Sequence, residues 1–228
     1  MSAFNFSSPL LRDKQAALDF QDLQGILNIE VKIKSKTLFS GSYTRVDQVF
    51  VIWGGLAATI FTTAQFLPIS WTTQAIWWTA LSLIGIVSMI AFTWFWVSVE
   101  RLRWVVGCWV LLVLAGLGLT DLGIFLGWAE VLMHLCPLWL GLSAVGYFYT
   151  GLGLGSRTLT LTGLVHLFAI ALLPYIYGWQ FLATGIVMGF SLLLLAQLQW
   201  DMRPPIEYNL LTPEQKDFNR QQQELRSI

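Results

Sequence analysis

Lysine is missing from the middle of this chain: none lies between Lys36 and Lys216. Charge of either sign is nearly missing there too. From Asp47 to Trp200 the only Asp, Glu, Lys or Arg residues are Asp47, Glu100, Arg101, Arg103, Asp121, Glu130 and Arg157. Charged residues make up 11% of the chain, less than half the roughly 25% of a soluble domain. That scarcity, with 56% hydrophobic residues and a mean hydropathy of +0.64, excludes a soluble globular enzyme and a disordered chain. The 13 basic and 13 acidic side chains cancel, so no basic surface marks a nucleic acid as partner. A charge at the bilayer centre costs about 2.5–3.5 kcal/mol or more. A stretch cleared of charge to this degree belongs in hydrocarbon.

Cysteine and histidine are scarce as well. Cys108 and Cys136 are the only cysteines, and they fall at different expected depths, which argues against a disulfide. There is no Cys-x-x-Cys, His-Glu-x-x-His or Gly-x-Ser-x-Gly. A zinc site, an intramembrane metalloprotease and a hydrolase elbow all lack their ligands. No metal site is expected, and an enzyme is not the favoured reading. Gly151-Leu-Gly-Leu-Gly-Ser156 has no Gly-Lys-Ser/Thr and ends a span instead of following a strand, so it reads as a flexible helix terminus.

What is there is long apolar runs. A spanning helix needs about 20 residues, and six segments qualify: 49–69, 73–99, 104–122, 129–152, 158–177 and 180–199. Lipid offers the backbone no hydrogen bonds, and no ten-residue alternation suggests a barrel, so these are helices. The expected fold is an all-α integral membrane bundle of six spans with short loops. Flanking it are a small N-terminal α/β segment (residues 1–46) and a C-terminal tail with a short helix (201–228), both cytoplasmic.

The connections alternate in charge. Residues 68–71 and 178–179 are uncharged, and Asp121 and Glu130 flank the turn after the third span. Arg101 and Arg103 lie after the second span, Arg157 lies after the fourth, and both tails are basic near the membrane. By the positive-inside rule both termini are cytoplasmic. A bacterial inner membrane, or a cyanobacterial or plastid thylakoid membrane, is the expected setting. Trp71, Trp104, Trp128, Trp179 and Trp200 at expected helix ends fit an interfacial belt.

In the N-terminal segment, Ser8-Pro9 can open a helix, with an apolar stripe from Leu11 to Leu27. The alternation Ile29-Glu30-Val31-Lys32-Ile33-Lys34 reads as a strand, with residues 37–43 as a hairpin partner. Its lysines, Lys32, Lys34 and Lys36, join Arg101, Arg103 and Arg157 as expected membrane-surface contacts. In the C-terminal tail, Thr212-Pro213-Glu214-Gln215 is a capping box for a helix to about Leu225. Phe218 and Leu225 are its expected docking stripe.

Two groups carry candidate chemistry. Asp121, Glu130 and His134 gather near the outer boundary, with Glu130 and His134 at i,i+4. Pro137 and Pro174 free the carbonyls of Met133 and Ile170 nearby, so a polar cavity between the third, fourth and fifth spans could bind a cation or relay a proton. The alternative is that the two acids simply face water and His134 caps locally. His134 and His166, both within spans, are candidate ligands of a pigment or haem, though their depths differ by roughly 8–10 Å and a single site suits one of them at a time. The competing assignment is a neutral histidine bonded to a carbonyl. Three functions follow, in order: a non-enzymatic accessory or assembly protein docked to a larger membrane complex through its tails, a small-solute or ion transporter, and a pigment- or haem-binding protein.

Overall fold

The computed structural model describes residues 9–15, 17–33, 36–203 and 209–227. Its elements in chain order are β1 (Leu11–Arg12), α1 (Phe20–Leu23), β2 (Leu27–Ile33), β3 (Lys36–Tyr43), α2 (Arg45–Phe66), α3 (Trp71–Val99) and α4 (Arg103–Phe125). Then come α5 (Ala129–Met133), α6 (Leu135–Leu154), α7 (Arg157–Leu172) with a 3-10 turn at Leu173–Tyr175, α8 (Gln180–Gln197), β4 (Gln199–Trp200) and α9 (Pro213–Ser227). Six helices, α2, α3, α4, α6, α7 and α8, are long and apolar enough to cross a membrane. The chain is a multi-pass membrane bundle.

The helix ends follow local chemistry. Thr44 and Asp47 form a reciprocal capping box at the start of α2. Ser70 and Ser156 cap α3 and α7. The fourth span is broken. Pro137 has no N–H to give the Met133 carbonyl, so the helix stops at Met133, passes through His134 at φ −115°, and restarts at Leu135 with proline in its first turn. Gly155 ends α6 in the left-handed region (φ 60°). The Ser156 N–H reaches the Gly151 carbonyl at 2.8 Å, a Schellman closure. The Gly-rich segment is thus a helix terminus, as expected, and it ends in a hydrogen-bonded closure.

Packing closes the spans into a ring. α2 packs most extensively on α8, and the order α8–α2–α3–α4–α6–α7 returns to α8. At the α2–α8 seam a Cβ on Gly189 would sit 3.2 Å from the Gly54 carbonyl, so this pair of small residues sets the approach of the two backbones.

The two tails meet at one end of the ring. β1 pairs antiparallel with β4, so the N- and C-terminal segments share one side of the bundle. Among the described residues the expected helix from Ser8-Pro9 to Leu27 does not form. Ser8 lies outside the described residues, and Leu11–Arg12 is spent on the β4 edge, leaving a single turn at Phe20–Leu23. A tertiary strand partner outweighs a loose stripe. The hairpin β2–β3 is present, with a register shift at Val31/Lys32.

Candidate functional site

A cavity of about 150 Å³ occupies the tail-side half of the ring, and all six spans line it. Its wall is apolar and aromatic: Trp53, Trp96, Trp109 and Trp139, with Tyr147 and Met89. Trp200 of β4 joins the wall at the tail end. It is buried, so it lines this chamber instead of joining the interfacial belt. Trp71, Trp104, Trp128 and Trp179 are exposed at helix ends.

The indole N–H groups in and around this wall follow a pattern. Trp78 donates to Thr63 (3.1 Å), Trp109 to Thr150 (2.9 Å) and Trp139 to Thr120 (3.2 Å). Each threonine hydroxyl in turn donates to a backbone carbonyl one turn back. Buried donors in apolar surroundings are satisfied in this way because an unmade bond costs about 1–3 kcal/mol. Trp53 is the exception: its Nε1 is buried with no partner.

His166 on α7 also lines the chamber and is fully buried. Its Nδ1 lies 2.8 Å from the Thr162 carbonyl oxygen. A carbonyl only accepts, so Nδ1 carries the hydrogen of the neutral ring and Nε2 is an acceptor. That Nε2 is buried without a partner. The Tyr147 ring packs on the imidazole, centroids 4.9 Å apart.

Below the chamber lies a polar vestibule of about 220 Å³, sharing Val46, Trp96 and Trp200 with it. Four ion pairs frame the vestibule: Lys14–Asp47 (2.6 Å), Arg157–Asp201 (2.9 Å), Arg203–Glu100 (3.1 Å) and Arg226–Asp19. A relay of amides ties the tails together. Asn219 donates to Gln21 (3.0 Å), Gln21 to Glu100 (3.2 Å), and the Phe20 N–H to Asn219 (2.7 Å). Asp22 accepts from the Trp96 indole at 2.8 Å. Burial pushes Asp22 up to about 7; the charges of Asp19 and Glu100 push the same way, against the indole bond. Burial also raises Asp19, and Arg226 offsets it only in part.

Above the chamber a third cavity, of about 50 Å³, shares Trp53, Ala57, Trp139 and Met188 with it. Asp121 lines it and accepts from Thr79 at 2.9 Å. The three cavities thus follow one another along the bundle.

The sequence-expected residues distribute as follows. Asp121 accepts from Thr79 of α3 and lines the upper cavity, whose wall also holds Trp139 of the fourth span. Glu130 and His134 are exposed, and His134 Nδ1 lies 2.7 Å from the Glu130 carbonyl oxygen. Among the described residues no three His, Cys, Asp or Glu are grouped to hold a metal ion. Of the basic residues, Arg157 is engaged by Asp201, Arg103 donates to Ser98 (2.8 Å) and lies over the Trp94 ring, and Arg101 is exposed at φ 56°. Lys32 pairs with Glu30 on the hairpin (2.7 Å). Lys34 lies outside the described residues, as does the side chain of Lys36. In α9 the docking face is Asn219 and Arg226, one position along from the expected Phe218 and Leu225; Leu225 is exposed. The vestibule acids were not singled out in sequence. Nothing local shows that a tail returns to cover Glu100. Compared with known proteins, the chain matches no family model, no curated protein and no solved structure.

Proposed function

We propose that this protein is a non-enzymatic membrane binding protein that holds a small apolar or amphiphilic molecule in the chamber between its six spans, with the basic end of the bundle and both tails in the cytoplasm. The carrying observation is the aromatic cavity of about 150 Å³ with His166 in its wall. An apolar cavity of about this size in a protein core admits a molecule of benzene's dimensions. A single ring or a short chain therefore fits, whereas a haem or chlorophyll macrocycle needs displaced walls. The ion-transport reading draws less support, since Asp121 is bound to Thr79 and the other two residues of its trio are exposed.

The test is purification of the full chain in mild detergent, solvent extraction and mass spectrometry of co-purifying small molecules, alongside thermal stability with added toluene. Co-purification, or a rise in melting temperature that Ser143→Phe in the chamber wall abolishes, supports the reading. No co-purifying molecule and no response to toluene overturns it.

The accessory-subunit reading rests on a different feature. Among the described residues the β2–β3 ribbon pairs with no third strand, and Leu27, Ile29 and Leu38 on it are exposed. Such an edge is open to strand addition. A co-purifying membrane complex that is lost in Ile29→Lys would favour it.

A further inference from the structure

We infer that the molecule held in the chamber carries a hydroxyl group on its apolar ring or chain, and that this hydroxyl donates to His166 Nε2. The inference rests on the binding reading above and names the ligand's chemical class.

The chamber wall holds two buried polar atoms without partners, and they are complementary. His166 Nε2 is an acceptor, because Nδ1 is committed to the Thr162 carbonyl. Trp53 Nε1 is a donor. The other wall indoles all have partners: Trp96 donates to Asp22, Trp109 to Thr150 and Trp139 to Thr120. Trp53 therefore departs from the pattern of the other wall indoles, and His166 Nε2 is a second buried wall atom without a partner. Buried polar groups in folded proteins are overwhelmingly hydrogen-bonded, and those that are not call for a specific explanation.

The candidate ligand groups differ in what they satisfy. A hydrocarbon satisfies neither atom. A carbonyl or ether accepts from Trp53 and leaves His166 unmet. An ammonium donates to His166 but offers nothing to Trp53, and carries its desolvation cost into an apolar chamber. A hydroxyl has one donor and two acceptor lone pairs, so it serves His166 and keeps acceptor capacity for Trp53. Phenols and small alcohols combine that group with a body the aromatic wall accepts. Tyr147, its ring tilted 49° to the imidazole with centroids 4.9 Å apart, packs against His166.

The experiment uses the full chain in lipid nanodiscs with p-cresol and toluene, which share a ring and methyl group and differ by one hydroxyl. Binding is read by thermal shift, each probe corrected for its partition into protein-free nanodiscs. In the wild type p-cresol binds about tenfold tighter than toluene, the size of one well-made hydrogen bond. In His166→Leu the preference is lost, and cresol binds no tighter than toluene does to the same variant. Equal binding of both probes to wild type overturns the hydroxyl inference and leaves the chamber reading standing. Failure of both probes to bind overturns the two together. A parallel loss of cresol and toluene in His166→Leu assigns the histidine a structural role and overturns the inference.

A measurement without substitution keeps the inference testable if that variant fails to fold. In ¹⁵N-histidine spectra, cresol shifts the Nε2 resonance of His166 toward a hydrogen-bonded value and toluene does not. Exposed His134 is the internal control. A His166 signal unmoved by saturating cresol, as when water alone serves these atoms, overturns the inference.

Discussion

Asp201 receives both the backbone N–H of Thr158 (2.9 Å) and its hydroxyl (2.6 Å). A residue of the C-terminal tail thus caps the fifth spanning helix, where the helix dipole also favours an anion. The Arg157 N–H and guanidinium and the Ser156 hydroxyl complete the set. Burial alone would raise the Asp201 carboxyl, but these bonds outweigh it and hold it below its ordinary value. Asp201→Ala should destabilise the protein by about 2–3 kcal/mol, since charge-assisted bonds are lost and Arg157 loses its counter-ion. The carboxyl is depressed, so its contribution is present above the ordinary value of 3.8 and fades as pH falls through the folded value. Thermal unfolding in detergent should show the variant's deficit at pH 7 and a narrowing gap in acid.

Asp22 behaves in the opposite sense. Its carboxyl is raised from 3.8 to about 7, so folding favours the protonated form. Below 3.8 the folded and unfolded chains both hold the proton and there is no effect. Between these values the unfolded chain ionises first, and stability falls as pH rises, by no more than about 4 kcal/mol across the window. Asp22→Asn keeps an acceptor for the Trp96 indole and removes the ionisation. Its melting temperature should match wild type near pH 4 and exceed it increasingly up to pH 7. Trp96 fluorescence should titrate near 7 in wild type and lose that transition in the variant. A wild type with no such transition would refute the assignment.

The spans were legible in sequence because hydrocarbon imposes one local demand, about twenty uncharged residues, and the loops punctuated it. The hairpin and the α9 capping box were legible for the same reason: alternation at 29–34 and Thr212 with Gln215 are short-range signals. What was not legible depends on return of the chain. β1 exists only because β4 lies beside it, and Glu100 is buried only because Gln21 and Arg203 arrive from the two tails. His166 was visible as a candidate, but its partnerless Nε2 belongs to the packing of six helices. The bond from Thr79 to Asp121 was not legible either, because depth alone does not say which side of a helix faces which partner.

Gly146 gives the aromatic wall its shape. A Cβ there would stand 2.6 Å from the Trp109 ring, which is itself fixed by Thr150 and lies in T-shaped contact with Tyr147. Gly146→Ala should displace that ring toward the chamber at a cost of about 1–3 kcal/mol, the range for overpacking. The expected signature is a lower melting temperature with weakened toluene binding. Gly118→Ala on α4, with nothing within 4 Å of a new Cβ, is the control and should leave binding unchanged.

The Glu100–Arg203 pair closes the vestibule. Glu100 is 1% exposed, and Arg203 reaches both its carboxylate (3.1 Å) and its backbone carbonyl (2.9 Å). Removing one member leaves the other charge buried, which costs about 3–5 kcal/mol, whereas replacing both with neutral groups of similar size is far milder. Arg203→Met should therefore be strongly destabilising, Glu100→Gln less so because the amide still accepts from Arg203. The double variant should recover part of the Arg203→Met loss. A double-mutant cycle by thermal unfolding measures the coupling directly. Strict additivity would mean that the tail is held by its amide relay and strand pairing alone. A coupling of about 1 kcal/mol or more would establish this ion pair as the latch that keeps both tails on the bundle.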